Sequence, residues 1–449
     1  MVQERYKTFG VNNFRKIPQV TEYLNEEQQF AIEVVGNVLP FKVNTYVLNQ
    51  LINWENVPDD PIFILTFPQK DMLSAAHFEA VADALNSEVS KTELKEIVNE
   101  IRLQLNPHPA GQMELNVPEI DGYKLTGIQH KYRETMLFFP NQGQTCHAYC
   151  TFCFRWPQFV GMDELRFAMK ETDLMIKYLQ AHPEITDVLF TGGDPMIMST
   201  KRLERYIIPL LEADLPNLKT IRIGSKALGY WPYRFTTDRD ADALIDLFKK
   251  VKEHGVHLAY MGHFNHPAEL ETEAVKVAVD RLNEVGVQIR TQSPIMRNIN
   301  ATPEAWATMW RKQVDMGMIP YYMFLARDTG AQDYFAVPLV QAHRIFKKAY
   351  EGVSGICRTV RGPSMSADPG KVQLLGETEI AGKKVMGLRF IQGRNPEWVH
   401  KPFFAEYDEE AVWLDDLKPA FEDRFFYEEE FDAIKQKEAV VPEPAEAAE

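Results

Sequence analysis

The chain has only four cysteines in 449 residues. Three of them crowd into one eight-residue stretch and Cys357 stands alone, so the paired framework of a stapled secreted domain is excluded. A basic excess is also missing: 49 Lys and Arg against 64 Asp and Glu give a formal net charge of −15. That balance opposes broad affinity for nucleic acid. No uninterrupted apolar run is long enough to cross a bilayer, and residues 1–7 lack the apolar core of an export signal. Free thiols without such a signal suit a reducing compartment, so a cytoplasmic location with no membrane partner is expected. No internal repeat is evident. What is present, 45% hydrophobic and 25% charged residues, is ordinary globular composition. The length allows two or three domains, or one large barrel with extensions.

The densest signal is Cys146-His147-Ala148-Tyr149-Cys150-Thr151-Phe152-Cys153-Phe154-Arg155-Trp156, with cysteines in C-x3-C-x2-C spacing. Closely spaced thiolates on a loop suit a soft metal centre. Iron–sulfur clusters are normally held by four thiolates, so three leave one metal position open for a substrate or cofactor. A Cys3His zinc site that includes His147 is the alternative. It is disfavoured because structural zinc sites usually present two well-separated ligand pairs.

Residues 1–110 read as a mostly helical extension, with amphipathic runs from Glu26 and Thr92 and proline breaks at Pro58-Asp59-Asp60-Pro61 and Pro107-His108-Pro109. It is expected to be a packing layer without chemistry of its own. Residues 111–345 read as the core. Strands are expected at 136–139, 187–191, 220–223, 257–261, 287–290 and 320–324, and helices at 165–179, 241–254, 271–285 and 303–316. This alternation predicts an α/β fold with a parallel sheet and right-handed crossovers, and working groups at the carboxyl ends of the strands. Residues 346–432 read as an irregular C-terminal segment, with a helix at 341–350 leading in and a Gly/Pro/Ser-rich stretch at 361–371. The Ala/Pro/Glu-rich end, 433–449, reads as a disordered tail.

Gly192-Gly193-Asp194-Pro195 follows a strand, and its two glycines allow a close backbone approach. His263 and His266 flank Phe264 and Asn265 but have no acidic partner at ligand spacing, so ordinary hydrogen bonding is favoured over a second metal.

The cysteine spacing resembles that of radical S-adenosylmethionine enzymes. Taken in order with Gln129-His130-Lys131-Tyr132, Thr191-Gly192-Gly193-Asp194-Pro195, Gly262-His263-Phe264-Asn265-His266-Pro267, Gln292-Ser293-Pro294-Ile295-Met296-Arg297 and Pro320-Tyr321-Tyr322, it resembles the lysine 2,3-aminomutase family over about residues 55–375. The resemblance implies an incomplete (βα)6 barrel and a [4Fe–4S] cluster on Cys146, Cys150 and Cys153. It implies S-adenosylmethionine on the fourth iron, its amino end at Gly192, Gly193 and Asp194. Pyridoxal phosphate would be held as an imine on Lys371, with Lys131 at its phosphate, and Arg155 would grip the substrate carboxylate. The implied reaction is radical migration of an amino group from Cα to Cβ of an amino acid, primed by a flavodoxin- or ferredoxin-like electron donor. The sequence allows a homo-oligomer without fixing the oligomeric state.

The chain departs from the family pattern in places. A second phosphate-contacting arginine falls at Thr135, with Arg133 nearby. The family's lysine enzymes hold the substrate ammonium with two aspartates; one matching position is Ala301, and the other falls where Asp368 stands at a different offset from Lys371. A substrate other than lysine is therefore expected. Only Cys357 lies outside the cluster loop, so no additional zinc site is expected. Two rival readings stay open here: a radical enzyme acting without pyridoxal phosphate, and a metal-stabilised binding protein without catalysis.

Overall fold

The structure is a computed structural model describing residues 4–106, 116–161 and 167–439. Its centre is one sheet of eleven strands whose spatial order follows the chain. These are β1 (Ile128–Tyr132), β2 (Thr135–Phe138), β3 (Asp187–Phe190), β4 (Thr220–Ser225), β5 (His257–His263), β6 (Gln288–Ile295), β7 (Ile319–Leu325), β8 (Arg361–Ser366), β9 (Gly370–Ile380), β10 (Lys383–Gly393) and β11 (Pro402–Glu406). Strands β2 to β8 run parallel. Strand β1 is antiparallel at one edge, and β9 to β11 are antiparallel at the other. The parallel crossovers carry helices α1 (Thr172–Ala181), α2 (Thr200–Glu212), α3 (Ala241–Glu253), α4 (Glu273–Glu284), α5 (Pro303–Asp315) and α6 (Leu339–Glu351).

Side chains alternate across the strands with period two, and the two faces differ in kind. Val188 and Phe190 on β3 and Ile221 and Ile223 on β4 are buried toward the helices, in the core that also takes Leu203, Ile207, Leu244 and Phe248. Their neighbours Asp187, Leu189, Thr220 and Arg222 face the other way and line a cavity. A sheet packed on both faces would carry apolar side chains on each; here the inner face is left for a ligand. The sheet also curls. Lys131 on β1 donates to the Ala367 carbonyl between β8 and β9 at 2.7 Å, although six strands separate β1 from β8 in the sheet order.

The N-terminal extension is helical, as its amphipathic runs require, with helices Glu26–Val38, Ala75–Asn86 and Lys91–Gln104. Asn25 closes a capping box with Gln28, and Ser74 and Ser90 cap the other two, satisfying otherwise unpaired amide groups. These helices share a second hydrophobic core that includes Ala148 and Trp156 from the cysteine loop.

Several elements depart from expectation. Helix α2 is not among the expected helices, and Pro209 lies inside it, where a proline removes the bond to the carbonyl four residues back. That carbonyl, of Arg205, accepts instead from Thr172 Oγ1 at 3.3 Å. The C-terminal segment is not irregular: it builds β8 to β11, extending the sheet. The β9–β10 hairpin turns through Ala381 and Gly382, both at positive φ (52° and 77°), as a two-residue hairpin loop requires. The helix expected at 165–179 begins only at Thr172, after Met169 bridges Pro140. At the other end, a helix runs over Glu428–Ala439, through the start of the expected disordered tail. Residues 440–449, like the break at Pro107-His108-Pro109, lie outside the described residues. No helix among the described residues is long and apolar enough to cross a membrane.

Candidate active site

Two adjoining cavities that share wall residues occupy the inner face. The smaller, about 310 Å³, sits at the carboxyl ends of β3 to β7 and is lined by Cys146, Cys150, Cys153, Gly192, His263 and Gln292 among others. The larger, about 600 Å³, runs on to Asp187, Thr220, His257 and Gln288, the first residues of β3 to β6. Arg155, Met261 and Arg327 belong to the walls of both.

The cysteine loop is clamped by the N-terminal extension. Lys42 Nζ donates to the Cys146 carbonyl at 2.7 Å, and Asn44 Nδ2 and Tyr6 Oη each donate to the His147 carbonyl at 3.2 Å. The Thr151 amide and hydroxyl donate to the carbonyls of Leu65 (3.0 Å) and Ile64 (2.8 Å). The extension was expected to be a packing layer only, so this positioning role was missed; the residues involved are about a hundred positions apart in the chain. All three loop cysteines are free. Burial raises their thiols, Cys150 to about 12 and Cys153 to about 11, with Cys146 raised strongly as well. Bare, they hold their protons; a bound metal would remove them. No group of three or more His, Cys, Asp or Glu side chains gathers around a single-ion position among the described residues. A cluster spreads its thiolates over different irons.

The Gly-Gly turn does its work against this loop. A Cβ on Gly192, whose φ is 134°, would lie 2.4 Å from Gln144 Nε2, and one on Gly193 would lie 2.5 Å from the Thr145 amide nitrogen. The Asp194 carboxylate is occupied by the chain itself, accepting from the amides of Met196 (2.9 Å) and Lys226 (3.0 Å). Burial raises its pKa to about 6. This segment thus locks the cysteine loop to the ends of β3 and β4.

His263 and His266 do not act as a pair. His263 lines the smaller cavity with its Nε2 buried and unpartnered, while His266 Nδ1 accepts from the Ala268 amide at 3.3 Å. Burial, with Lys226 nearby, lowers the His263 pKa to about 3, so the ring is neutral. Lys226 and Tyr230 were not singled out from sequence. Lys226 Nζ donates to Glu269 (2.5 Å) and Asn265 (2.8 Å), and it stands 4.2 Å over the Tyr230 ring. Their one visible signal is a Lys and a Tyr four apart, just after a strand end.

In the larger cavity, Lys371 Nζ donates to Gln392 Oε1 at 3.0 Å and lies 4.5 Å from the Tyr322 ring. Burial, reinforced by Arg222 and Arg361, lowers its pKa to about 8. Lys131 is lowered to about 7, by burial and then by Arg394. The Arg155 guanidinium lies 4.1 Å over the Phe139 ring and has no carboxylate partner among the described residues; burial brings it down to about 10. Thr135 Oγ1 donates to Asp187, which pairs with Arg222, so a guanidinium from β4 stands beside Thr135. Asp368 lines this cavity, whereas Ala301 packs against the main core and lines neither cavity.

The site is a curled α/β sheet with three free thiols in one loop, opening beside a buried lysine and arginine. No family model matches the chain. It is 32% identical over 397 residues to an Aquifex aeolicus protein provisionally named L-lysine 2,3-aminomutase, covering 88% of this chain and 92% of the relative. It is 29% identical over 255 residues to L-lysine 2,3-aminomutase of Clostridium subterminale, spanning 57% of this chain and 58% of that enzyme. The chain belongs to the L-lysine 2,3-aminomutase family and is an isomerase of the aminomutase kind. Solved structures similar to it include SuiB of Streptococcus suis (TM-score 0.34, 13% identity, 60% of this chain and 55% of that one). Another is the radical S-adenosylmethionine methyltransferase TsrM of Kitasatospora setae (TM-score 0.30, 13% identity, 49% and 42%).

Proposed function

We propose that the protein is a radical S-adenosylmethionine, pyridoxal phosphate-dependent 2,3-aminomutase acting on an amino acid other than lysine. The observation that carries this reading is the wall the two cavities share. Lys371 lines the larger, the three thiols line the smaller, and Arg155 forms part of both walls. The residues fit the groups in question. Cys146, Cys150 and Cys153 would hold a [4Fe–4S] cluster, whose fourth iron would take S-adenosylmethionine beside Gly192, Gly193 and Asp194. The unpartnered His263 Nε2 supplies a polar contact on the same wall. Lys371 would bind pyridoxal phosphate covalently, with Lys131 at the phosphate. When bound, the first pair of groups supplies a 5′-deoxyadenosyl radical and the second an aldehyde that holds the migrating amino group.

The chain's own residues do the rest. Lys371, lowered to about 8, has a neutral, nucleophilic fraction near neutral pH. Arg155 offers a planar fork of donors to the substrate carboxylate and so fixes Cα and Cβ beneath the thiol-lined cavity. The N-terminal clamp and the aromatic walls exclude water from a reactive site. Lysine is disfavoured because an ammonium tail needs a carboxylate partner in a dry pocket. Of the two acids lining the cavity, Asp187 already pairs with Arg222.

The curled sheet is read as an incomplete (βα)6 barrel, supported by the Lys131–Ala367 contact across its open side. Residues 1–110 are read as the extension, 111–345 as the core and 346–432 as the C-terminal segment. A flavodoxin- or ferredoxin-like donor and a homo-oligomeric state belong to the same proposal. The test is anaerobic reconstitution with iron and sulfide, followed by reduction with S-adenosylmethionine and an amino-acid panel. A β-amino product together with a borohydride-trapped Lys371 adduct is expected. Zinc in place of iron, or a panel giving no 5′-deoxyadenosine, would sink the reading.

A further inference from the structure

The walls of the larger cavity carry six basic side chains, Lys131, Arg155, Arg222, Arg290, Arg327 and Lys371, against the two acids Asp187 and Asp368. Arg222 is matched by Asp187 and Arg327 by its neighbour Asp328. Lys131 lies on a carbonyl, with Asp368 and Arg394 within electrostatic reach. Arg155 stands at the junction with the thiol-lined cavity. Arg290 remains. It projects from the inner face of β6, one pleat or about 7 Å below Gln292 along the strand, and Gln292 lines the smaller cavity.

Arg290 forms no ion pair with any described acid. Its Nε donates to Gln288 Oε1 at 2.7 Å, and its guanidinium lies 5.0 Å from the Tyr321 ring. The same ring is approached at 5.0 Å by Arg361, which donates to the hydroxyls of Tyr321 and Tyr322 at 3.4 Å each. Stacking on an aromatic face stabilises a cation modestly, but it leaves the remaining guanidinium donors unmatched. Gln288 and Tyr321 hold the group in place, so it is aimed rather than free to turn to solvent. A fixed, unmatched guanidinium in a ligand cavity is complementary to an anion, and an ammonium group there would be repelled.

We propose that Arg290, held by Gln288 and Tyr321, binds a second carboxylate on the substrate, so that the enzyme takes a dicarboxylic α-amino acid. Arg155 receives the α-carboxylate at one end of the cavity and Arg290 the side-chain carboxylate at the other. This rests on the aminomutase reading above and adds the substrate class to it.

The test uses the reconstituted holoenzyme with L-glutamate, L-aspartate, L-lysine and L-alanine, scoring both β-amino product and 5′-deoxyadenosine. Turnover of a dicarboxylic amino acid is expected. Arg290→Gln should raise KM for it about tenfold or more, as losing one charged hydrogen-bonding partner does, with KM rising more than kcat falls and Arg290→Lys recovering part of the loss. Should Arg290→Gln fail to fold, competition on the unmodified holoenzyme decides the matter: glutarate should inhibit, and 1,5-diaminopentane should not. Turnover of lysine or alanine in place of the dicarboxylic acids, or inhibition by the diamine alone, overturns the assignment of Arg290 and leaves the aminomutase reading standing. Absence of 5′-deoxyadenosine with every amino acid overturns both.

Discussion

The Cys150 thiol donates to the Tyr230 hydroxyl across 3.8 Å, and Lys226 Nζ stands over the same tyrosine ring. Once Cys150 is a thiolate the roles reverse, and the hydroxyl donates to sulfur. Hydrogen bonds to the sulfurs of an iron–sulfur cluster help set its potential, and they favour the reduced form because it carries more negative charge. Tyr230→Phe should therefore lower the midpoint potential of the reconstituted cluster. A bond worth about 1 kcal/mol more in the reduced state corresponds to about 40 mV for one electron. Redox titration followed by electron paramagnetic resonance measures this, and an unchanged potential would remove Tyr230 from the cluster's surroundings.

The proposed attachment of pyridoxal phosphate to Lys371 makes cofactor capture depend on pH. The Lys371 pKa is lowered to about 8, chiefly by burial, and only the neutral amine attacks an aldehyde. Below pH 8 the neutral fraction falls about tenfold per unit. The rate at which cofactor-free protein takes up pyridoxal phosphate should rise on that slope from pH 6 and level off above pH 8. Stopped-flow absorbance near the visible band follows it. A flat profile, or the same band in Lys371→Ala, would move the attachment elsewhere.

Asn44 is fully buried and joins three segments: its side-chain amide donates to the carbonyls of His147 (3.2 Å) and Tyr230 (2.9 Å), and its oxygen accepts from the Val47 amide (3.0 Å). Asn44→Ala leaves buried backbone groups unpaired, each at a cost of about 1–3 kcal/mol. A fall in stability on the order of 3 kcal/mol is expected, with iron content dropping more than helicity. Thermal melts and iron analysis test it, and full iron loading at wild-type stability would count against the clamp.

Much of this could be read from the chain because the signals are local. The cysteine spacing and the apolar runs that became β2 to β7 are each short enough to see directly. Where the reading failed, the cause was not local. Pro209 looks like a helix breaker until Thr172, thirty-three positions before Arg205, is seen to satisfy the stranded Arg205 carbonyl. The β9–β10 turn puts Ala381 at a φ usually left to Asn, Asp or Gly, so the hairpin signal was hidden. The contact between Lys42 and Cys146 spans 104 positions and has no sequence pattern. The anchoring of the Asp194 carboxylate by the amides of Met196 and Lys226, the latter 32 positions on, is likewise invisible in the chain.

The glycines after β3 provide the sharpest test of how that turn serves the site. A Cβ at Gly193 would meet the Thr145 amide nitrogen at 2.5 Å and its carbonyl oxygen at 2.6 Å. Both are backbone atoms, one residue before Cys146, so the clash cannot be relieved by a rotamer change. Gly193→Ala must push the cysteine loop off the ends of β3 and β4, breaking the bond from the Asp194 amide to the Thr145 carbonyl (2.8 Å). Gly122 is the control. It has a φ of 77° and nothing within 4 Å of a Cβ, so alanine there brings only backbone strain, about 1–2 kcal/mol. Gly193→Ala is expected to fold with near-native circular dichroism yet retain a small fraction of the wild-type iron, while Gly122→Ala loads fully. Equal loading of the two would mean that the close approach of this turn to the cysteine loop has no part in seating the cluster.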